Sequence, residues 1–132
     1  MLDRMVCQYS DNGGKTWSDG SYFGMAHPKD QDKEWAAVDL QSDAIVSTWT
    51  QFDKYGSDAT EDKSNILFTR SDDRGVTWSE PKQINQFSGN CLDDDGTTEG
   101  AVPCFGPRGE VYVSWSLNSQ IYFDASKDGG KT

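Results

Sequence analysis

Three near-copies of one short segment constrain this chain more than anything else in it: Ser10-Asp-Asn-Gly-Gly-Lys-Thr-Trp17, Ser71-Asp-Asp-Arg-Gly-Val-Thr-Trp78 and Ser126-Lys-Asp-Gly-Gly-Lys-Thr132. Successive copies begin 61 and 55 residues apart. Self-similarity at a near-constant period marks a repeat architecture, in which each unit buries its apolar face against the next. The chemistry of the segment is that of a turn. A short Asp or Asn side chain bonds nearby backbone N–H groups, Gly permits positive φ, and the Trp anchors the returning strand in apolar packing. Ser10, Asn12, Gly14, Thr16 and Trp17 are therefore read as scaffold. So are Ser71, Asp73, Gly75, Thr77 and Trp78, and Ser126, Asp128, Gly130 and Thr132.

The flanks repeat as well. Met5-Val-Cys-Gln8, Ile66-Leu-Phe-Thr69 and Ile121-Tyr-Phe-Asp124 precede the copies as alternating strands, with Met5/Cys7, Ile66/Phe68 and Ile121/Phe123 sharing one face. Cys7 stands where the other copies place Phe, which favours a buried, inert thiol. Trp-Ser-Asp or Trp-Ser-Glu follows each complete copy and opens an outermost strand. Ala44–Phe52 and Glu110–Leu117 align on Trp49 and Trp115, and Glu34–Asp39 and Glu99–Phe105 precede them. The unit is four antiparallel strands with the motif at the turn between the third and fourth. Residues 1–24 hold the last two strands of one unit, 25–84 a whole unit, and 85–132 the first three strands of the next.

The copies resemble the Asp-box, Ser-x-Asp-x-Gly-x-Thr-Trp, of the sialidase-like (neuraminidase) family. Ser71, Asp73, Gly75, Thr77 and Trp78 match every defined position; the first copy departs only at Asn12, and the third keeps Ser126, Asp128, Gly130 and Thr132. The resemblance implies an all-β chain that is a fragment of a β-propeller of about six four-stranded antiparallel blades. It also implies a secreted, periplasmic or cell-surface setting. The third copy stops where its Trp would come, so the chain is expected to be part of a longer propeller, with the remaining blades as its partners. Alone, it is expected to expose sheet faces and edges and to show no glycosidase turnover.

Bulk properties narrow the partners. The 12 Lys and Arg against 22 Asp and Glu give a formal charge of −10, without the basic stripe of a nucleic-acid binder. The acidity reads chiefly as solubility. No apolar run approaches the roughly 20 residues of a membrane span, and the first residues lack the apolar core of a signal peptide. Cys91 and Cys104 flank an acidic loop and either bridge or remain free; Cys7 is the odd one out.

Antiparallel geometry sends residues 25–33, 53–63 and 85–98 to the end opposite the Asp-boxes, the end that carries the site in the resembled family. Asp32 or Glu34, depending on one gap, matches Glu99 at the entry of an innermost strand, and Asp95 lies in the loop before Glu99. Clustered carboxylates suit glycoside hydrolysis, one donating a proton and another stabilising or activating the attacker. The resemblance instead implies a Tyr–Glu nucleophile pair with an Asp acid, and Tyr55 is the Tyr of the long loop 53–63. Asp32, Glu34, Asp95, Glu99 and Tyr55 are therefore the candidate catalytic residues, against the plainer reading that they cap strands, bind Lys33 or Lys63, or stay solvated. Arg70, Arg74 and Arg108 fall near the Asp-box end, and only Arg4 lies near the other, which weakens the match to a substrate-clamping arginine triad.

No cofactor is expected, although Asp93-Asp-Asp95 with Glu99 offers hard oxygen donors of the kind Ca²⁺ takes, without the EF-hand spacing. His27 has no second ligand for a zinc site. Two functions remain: a fragment of a sialidase-like glycoside hydrolase (exo-α-sialidase type) acting on glycans, or a non-catalytic Asp-box propeller that binds carbohydrate or protein.

Overall fold

The computed structural model describes residues 2–132, and every regular element in it is a β-strand. The strands are β1 (Met5–Cys7), β2 (Ser21–Phe23), β3 (Asp30–Val38), β4 (Ile45–Phe52), β5 (Ser64–Ser71), β6 (Lys82–Gln83), β7 (Glu99–Phe105), β8 (Val111–Leu117) and β9 (Gln120–Ser126). They form three antiparallel sheets, β1-β2, β3-β4-β5-β6 and β7-β8-β9, each in chain order. The chain is all-β, and its sheets lie within residues 1–24, 25–84 and 85–132 respectively.

The middle sheet is packed on both faces. Trp49 and Leu67 lie with Met5 and Phe23 of the first sheet, while Val46, Ile66 and Phe68 lie with Ala101, Val111, Val113 and Trp115 of the third. This explains why nearly all of β4 is buried despite its Ser, Thr and Gln content. A buried hydroxyl needs a partner, and the neighbouring sheet's backbone supplies it. Thr48 Oγ1 donates to the Ala101 carbonyl at 2.9 Å and Thr50 Oγ1 to that of Thr98 at 3.3 Å. By contrast β8 is packed closely on one side only, and its burial alternates with period two, Val111, Val113, Trp115 and Leu117 inward. Ile121 and Phe123, whose counterparts Ile66 and Phe68 are covered by the third sheet, are 78% and 64% exposed.

Three expectations need correction. β3 begins at Asp30 rather than Glu34, so residues 30–32, placed in a loop by sequence, pair with β4. The returning strands β2 and β6 are short and begin only after the Trp-Ser-Asp and Trp-Ser-Glu segments. Trp17 is exposed rather than packed, whereas Trp78 lies 4.4 Å from the Phe23 ring and donates to Ser21 Oγ at 3.0 Å. Trp78 is half-buried because the first sheet lies beside it to receive it.

The first strands of the second and third sheets, β3 and β7, each carry a bulge opposite a buried Trp, Trp49 and Trp115. Register shifts between Asp32 and Trp35 in β3, and between Glu99 and Val102 in β7. The residue after each acid sits in the left-handed region, Lys33 at φ 54° and Gly100 at φ 71°. This equivalence closes the gap left open in the sequence: Asp32, not Glu34, is the counterpart of Glu99.

Candidate functional site

At one end of the sheets the three Asp-box turns share one hydrogen-bond pattern. Asp73 accepts from the Ser71 hydroxyl at 2.8 Å, the Val76 and Thr77 N–H groups at 3.1 and 2.8 Å, and the Thr77 hydroxyl at 2.6 Å. Asp128 makes the corresponding bonds with Ser126, Lys131 and Thr132; Asn12 Oδ1 accepts likewise from the Ser10 hydroxyl and the Lys15 and Thr16 N–H groups, while its Nδ2 donates to the Thr16 hydroxyl. The Thr77 hydroxyl, followed by the Thr77 N–H and the Ser71 hydroxyl, holds the Asp73 carboxyl down at about 2. The side chains are consumed by their own turns and leave nothing for chemistry. The arginines here are engaged too: Arg70 with Gly129 O and Asp72, Arg74 with Asp43, Arg108 with Glu110. Arg4 pairs with Asp3 and lies over Tyr22.

The opposite end is built across two sheets. The long loop after β4 folds back on the start of β3: Lys29 pairs with Asp53 at 2.8 Å, and the Tyr55 N–H donates to Asp30 Oδ2 at 3.0 Å. It then reaches the segment before β7, where the Gly56 N–H donates to the Cys91 carbonyl at 2.6 Å. The Tyr55 hydroxyl donates to Asp93 Oδ2 at 2.7 Å. Lys33 Nζ donates to Asp93 Oδ1 at 2.8 Å and also pairs with Glu99. Tyr55, Asp93, Lys33 and Glu99 thus form one connected polar group.

The sequence candidates divide accordingly. Glu99 and Tyr55 belong to this group. Asp32 stands at its edge, accepting the Lys33 N–H at 2.8 Å. Glu34 is exposed and outside it. Asp95 is turned away, accepting the N–H and hydroxyl of Ser119 at 2.8 and 2.9 Å, where Asn118 and Ser119 both have positive φ. Lys33 and Asp93 were not among the catalytic candidates; the sequence offered Lys33 only as an ion-pair partner and Asp93 only as a Ca²⁺ donor. The signal that would have found Lys33 is its alignment with Gly100 once Asp32 is matched to Glu99. For Asp93, no spacing rule separates it from its two acidic neighbours.

The same divergence bears on metal binding. Asp94 accepts from Asn90 Nδ2 and the Gly96 N–H, Asp95 from Ser119, and Asp93 from Lys33 and Tyr55. Among the described residues no three His, Cys, Asp or Glu side chains converge on a point. An ammonium lies where the Asp93 and Glu99 carboxylates come together. All three cysteines are free thiols, Cys91 buried, Cys104 exposed and Cys7 half-buried with its thiol pKa pushed up by desolvation.

Electrostatics fix the protonation states. Burial pulls the Lys33 ammonium down, but hydrogen bonds to Asp93 and Glu99 and their charges outweigh it, and its pKa stands well above the ordinary value. The Lys33 bond, then the Tyr55 bond, holds Asp93 below the usual carboxylate range. Accepting that bond, Asp93 raises the Tyr55 phenol, with a further push from the charge of Asp32. At neutral pH Asp93 is therefore a carboxylate, Lys33 an ammonium and Tyr55 a neutral phenol rather than a phenolate.

Magnitudes say what this arrangement is not for. A non-Gly residue in the left-handed region costs about 1–2 kcal/mol. Ion pairs as exposed as these, with side-chain exposures of 39% for Lys33, 35% for Asp93 and 25% for Glu99, return at most about 1 kcal/mol. The two contributions are of similar size and opposite sign, so relative to the glycine at the equivalent bulge in β7 the Lys33 side chain adds little net stability.

No protein-family model matches this sequence, and no curated protein matches it.

Proposed function

We propose that this chain is part of a sialidase-like Asp-box β-propeller of the glycoside-hydrolase type, about six-bladed when complete, and that its Tyr55 end is a glycan-holding surface. The propeller reading is supported by three antiparallel sheets stacked face to face in chain order, with bulged innermost strands in equivalent places. One observation carries the functional reading. Tyr55, Lys33, Asp93 and Glu99 come from two neighbouring sheets to one exposed surface at the end away from the Asp-box turns. Sugar hydroxyls are recognised by fixed arrays of donors and acceptors beside an aromatic ring, and this group offers a phenol, an ammonium and two carboxylates. Glycans of that kind place the parent protein outside the cell or in the periplasm.

Within this segment the residues hold substrate rather than transfer its proton. An acid catalyst needs a raised carboxyl pKa, whereas Asp93 is lowered and Glu99 is ion-paired. The Tyr55–Asp93 pair has the make-up of a tyrosine nucleophile with its carboxylate base, but Lys33 already engages that carboxylate. The second reading, a propeller that binds carbohydrate or protein without cleaving it, is favoured by the same ion pairing. The test uses the full-length parent on a glycan array and with a fluorogenic sialoside, beside its Tyr55→Phe variant. Binding weakened about tenfold by loss of the phenol supports the surface. Turnover that accompanies binding selects the hydrolase, and binding without turnover selects the second reading. Glycan affinity identical in both proteins sinks the assignment of this surface.

A further inference from the structure

We infer that Lys33 is the positioning residue of this surface, a strained cross-sheet clamp that holds Asp93 so that its second oxygen is aimed at the Tyr55 hydroxyl. Three separate features point there. The backbone at Lys33 is left-handed at φ 54°, and the equivalent bulge in β7 has Gly100 at φ 71°. A glycine would meet that backbone requirement more cheaply, so the side chain is what the position retains. That side chain spans from β3 to the third sheet and meets both Asp93 and Glu99. Finally, Asp93 is shared between two groups of the middle sheet: Oδ1 accepts from Lys33 at 2.8 Å and Oδ2 from Tyr55 at 2.7 Å. Asp93 itself sits at φ 59° on an irregular segment, without a strand to fix it.

A carboxylate gripped on one oxygen presents the other in a set direction. The phenol that donates to it then presents its oxygen lone pairs and ring face outward in a set direction too. Lys33 acts through Asp93 on Tyr55, and its effect on a bound sugar is indirect. This role rests on the reading of the Tyr55 end as the glycan-facing surface, although the clamp itself can be observed without any glycan.

The experiment compares the protein with its Lys33→Gly and Lys33→Arg variants, each carrying ¹³Cζ-labelled tyrosine. The Tyr55 resonance, assigned by its absence in Tyr55→Phe, is followed through the alkaline titration. In Lys33→Gly the melting temperature is unchanged or higher, because the strain is relieved. The Tyr55 phenol then falls back toward the ordinary tyrosine value as Asp93 swings free, and Lys33→Arg restores the raised value. A phenol that rises further in Lys33→Gly shows that Lys33 acts by charge alone on a carboxylate already in place, and overturns the inference. So does a titration that does not move. A lower melting temperature in Lys33→Gly also overturns it, since the clamp is then structural. On the glycan array, a Lys33→Gly loss comparable to that of Tyr55→Phe joins the clamp to function. A shifted Tyr55 titration with no glycan bound by any of the proteins leaves the clamp standing and rejects the glycan reading.

Discussion

The Asp-box glycine offers the sharpest energetic test of how the sheets interlock. Gly75 and Gly14 hold the same position in successive copies and the same backbone angle, φ 84° in each. Their surroundings differ. A Cβ on Gly75 would stand 2.9 Å from Cys7 Sγ of the first sheet, while one on Gly14 meets nothing nearer than Trp17 at 3.8 Å. Gly14→Ala therefore carries only the left-handed backbone penalty, about 1–2 kcal/mol. Gly75→Ala carries that and an overlap well inside the about 3.5–4.0 Å optimum of nonbonded atoms, which adds about 1–2 kcal/mol of overpacking. The total for Gly75→Ala is about 2–4 kcal/mol, a large part of the roughly 5–15 kcal/mol that holds a domain together. The assay is urea unfolding followed by tryptophan fluorescence, for the two single variants, Cys7→Ala and the Gly75→Ala/Cys7→Ala pair. Removing the sulfur should recover the overlap share and leave the backbone share, a coupling of about 1–2 kcal/mol. Equal costs at Gly14 and Gly75, or strict additivity with Cys7→Ala, would falsify the claim that this glycine is pressed against the preceding sheet.

Two further outcomes follow from the same turns. The Asp73 carboxyl, held at about 2 in the folded chain against 3.8 unperturbed, contributes stability that is full above the unfolded value and is lost as pH falls from about 4 toward 2. Asn12 already performs the same job without a titrating group, so an Asp73→Asn/Asp128→Asn protein should keep the turns and show a flatter urea midpoint between pH 4 and 2; an unaltered acid limb refutes it. A cleft of about 140 Å³ is lined by Phe68, Lys82, Ile84 and Gly130, the repeat equivalents of the Cys7, Ser21, Phe23 and Gly75 that surround Trp78. Adding one Trp after Thr132 should raise the urea midpoint by the equivalent of about 1.5–3 kcal/mol and blue-shift indole emission, whereas an added Trp that stays solvent-quenched and leaves the midpoint unmoved rejects the equivalence.

What the sequence disclosed and what it withheld divide along sequence separation. Each Asp-box is legible because every side-chain bond in it spans four residues or fewer, from Ser71–Asp73 to Asp73–Thr77. The strands are legible because Ile66/Phe68 and Val111/Val113/Trp115 alternate against a neighbour. The start of β3 was misplaced since Asp30-Gln-Asp-Lys looks like loop, yet Gln31 is buried and accepts the Trp49 indole N–H at 2.7 Å and the Gln51 amide at 3.2 Å. A polar residue satisfied by a buried tryptophan has no local signature. The choice between Asp32 and Glu34 turned on a two-residue bulge, which alternation cannot register. Of the three consecutive aspartates, Asp95 entered the catalytic set and Asp93 did not, because adjacent residues in an irregular segment point in directions that only the folded backbone decides.

That division has a physical consequence for how the surface comes into being. The bonds of the Tyr55 end join residues far apart in the chain: Tyr55 with Asp93, Lys33 with Asp93, Lys33 with Glu99, Tyr55 with Asp30. The last of these closes within the middle sheet, but the three that reach Asp93 and Glu99 exist only while the third sheet is docked on the second. Docking in turn is held by Val46, Ile66 and Phe68 against Ala101, Val111, Val113 and Trp115, with the Thr48 and Thr50 hydroxyls bonded across the seam. The Asp-box turns need no such support, since their hydrogen bonds close within the turn. A change that loosens the seam would therefore scatter Tyr55, Lys33 and Asp93 while the three turns persist. The turns are properties of single strand pairs, and the polar surface is a property of the stack. Its residues can thus be exposed and weakly bonded one by one and still be placed reproducibly, because their geometry is set by the buried seam beneath them rather than by the ion pairs themselves.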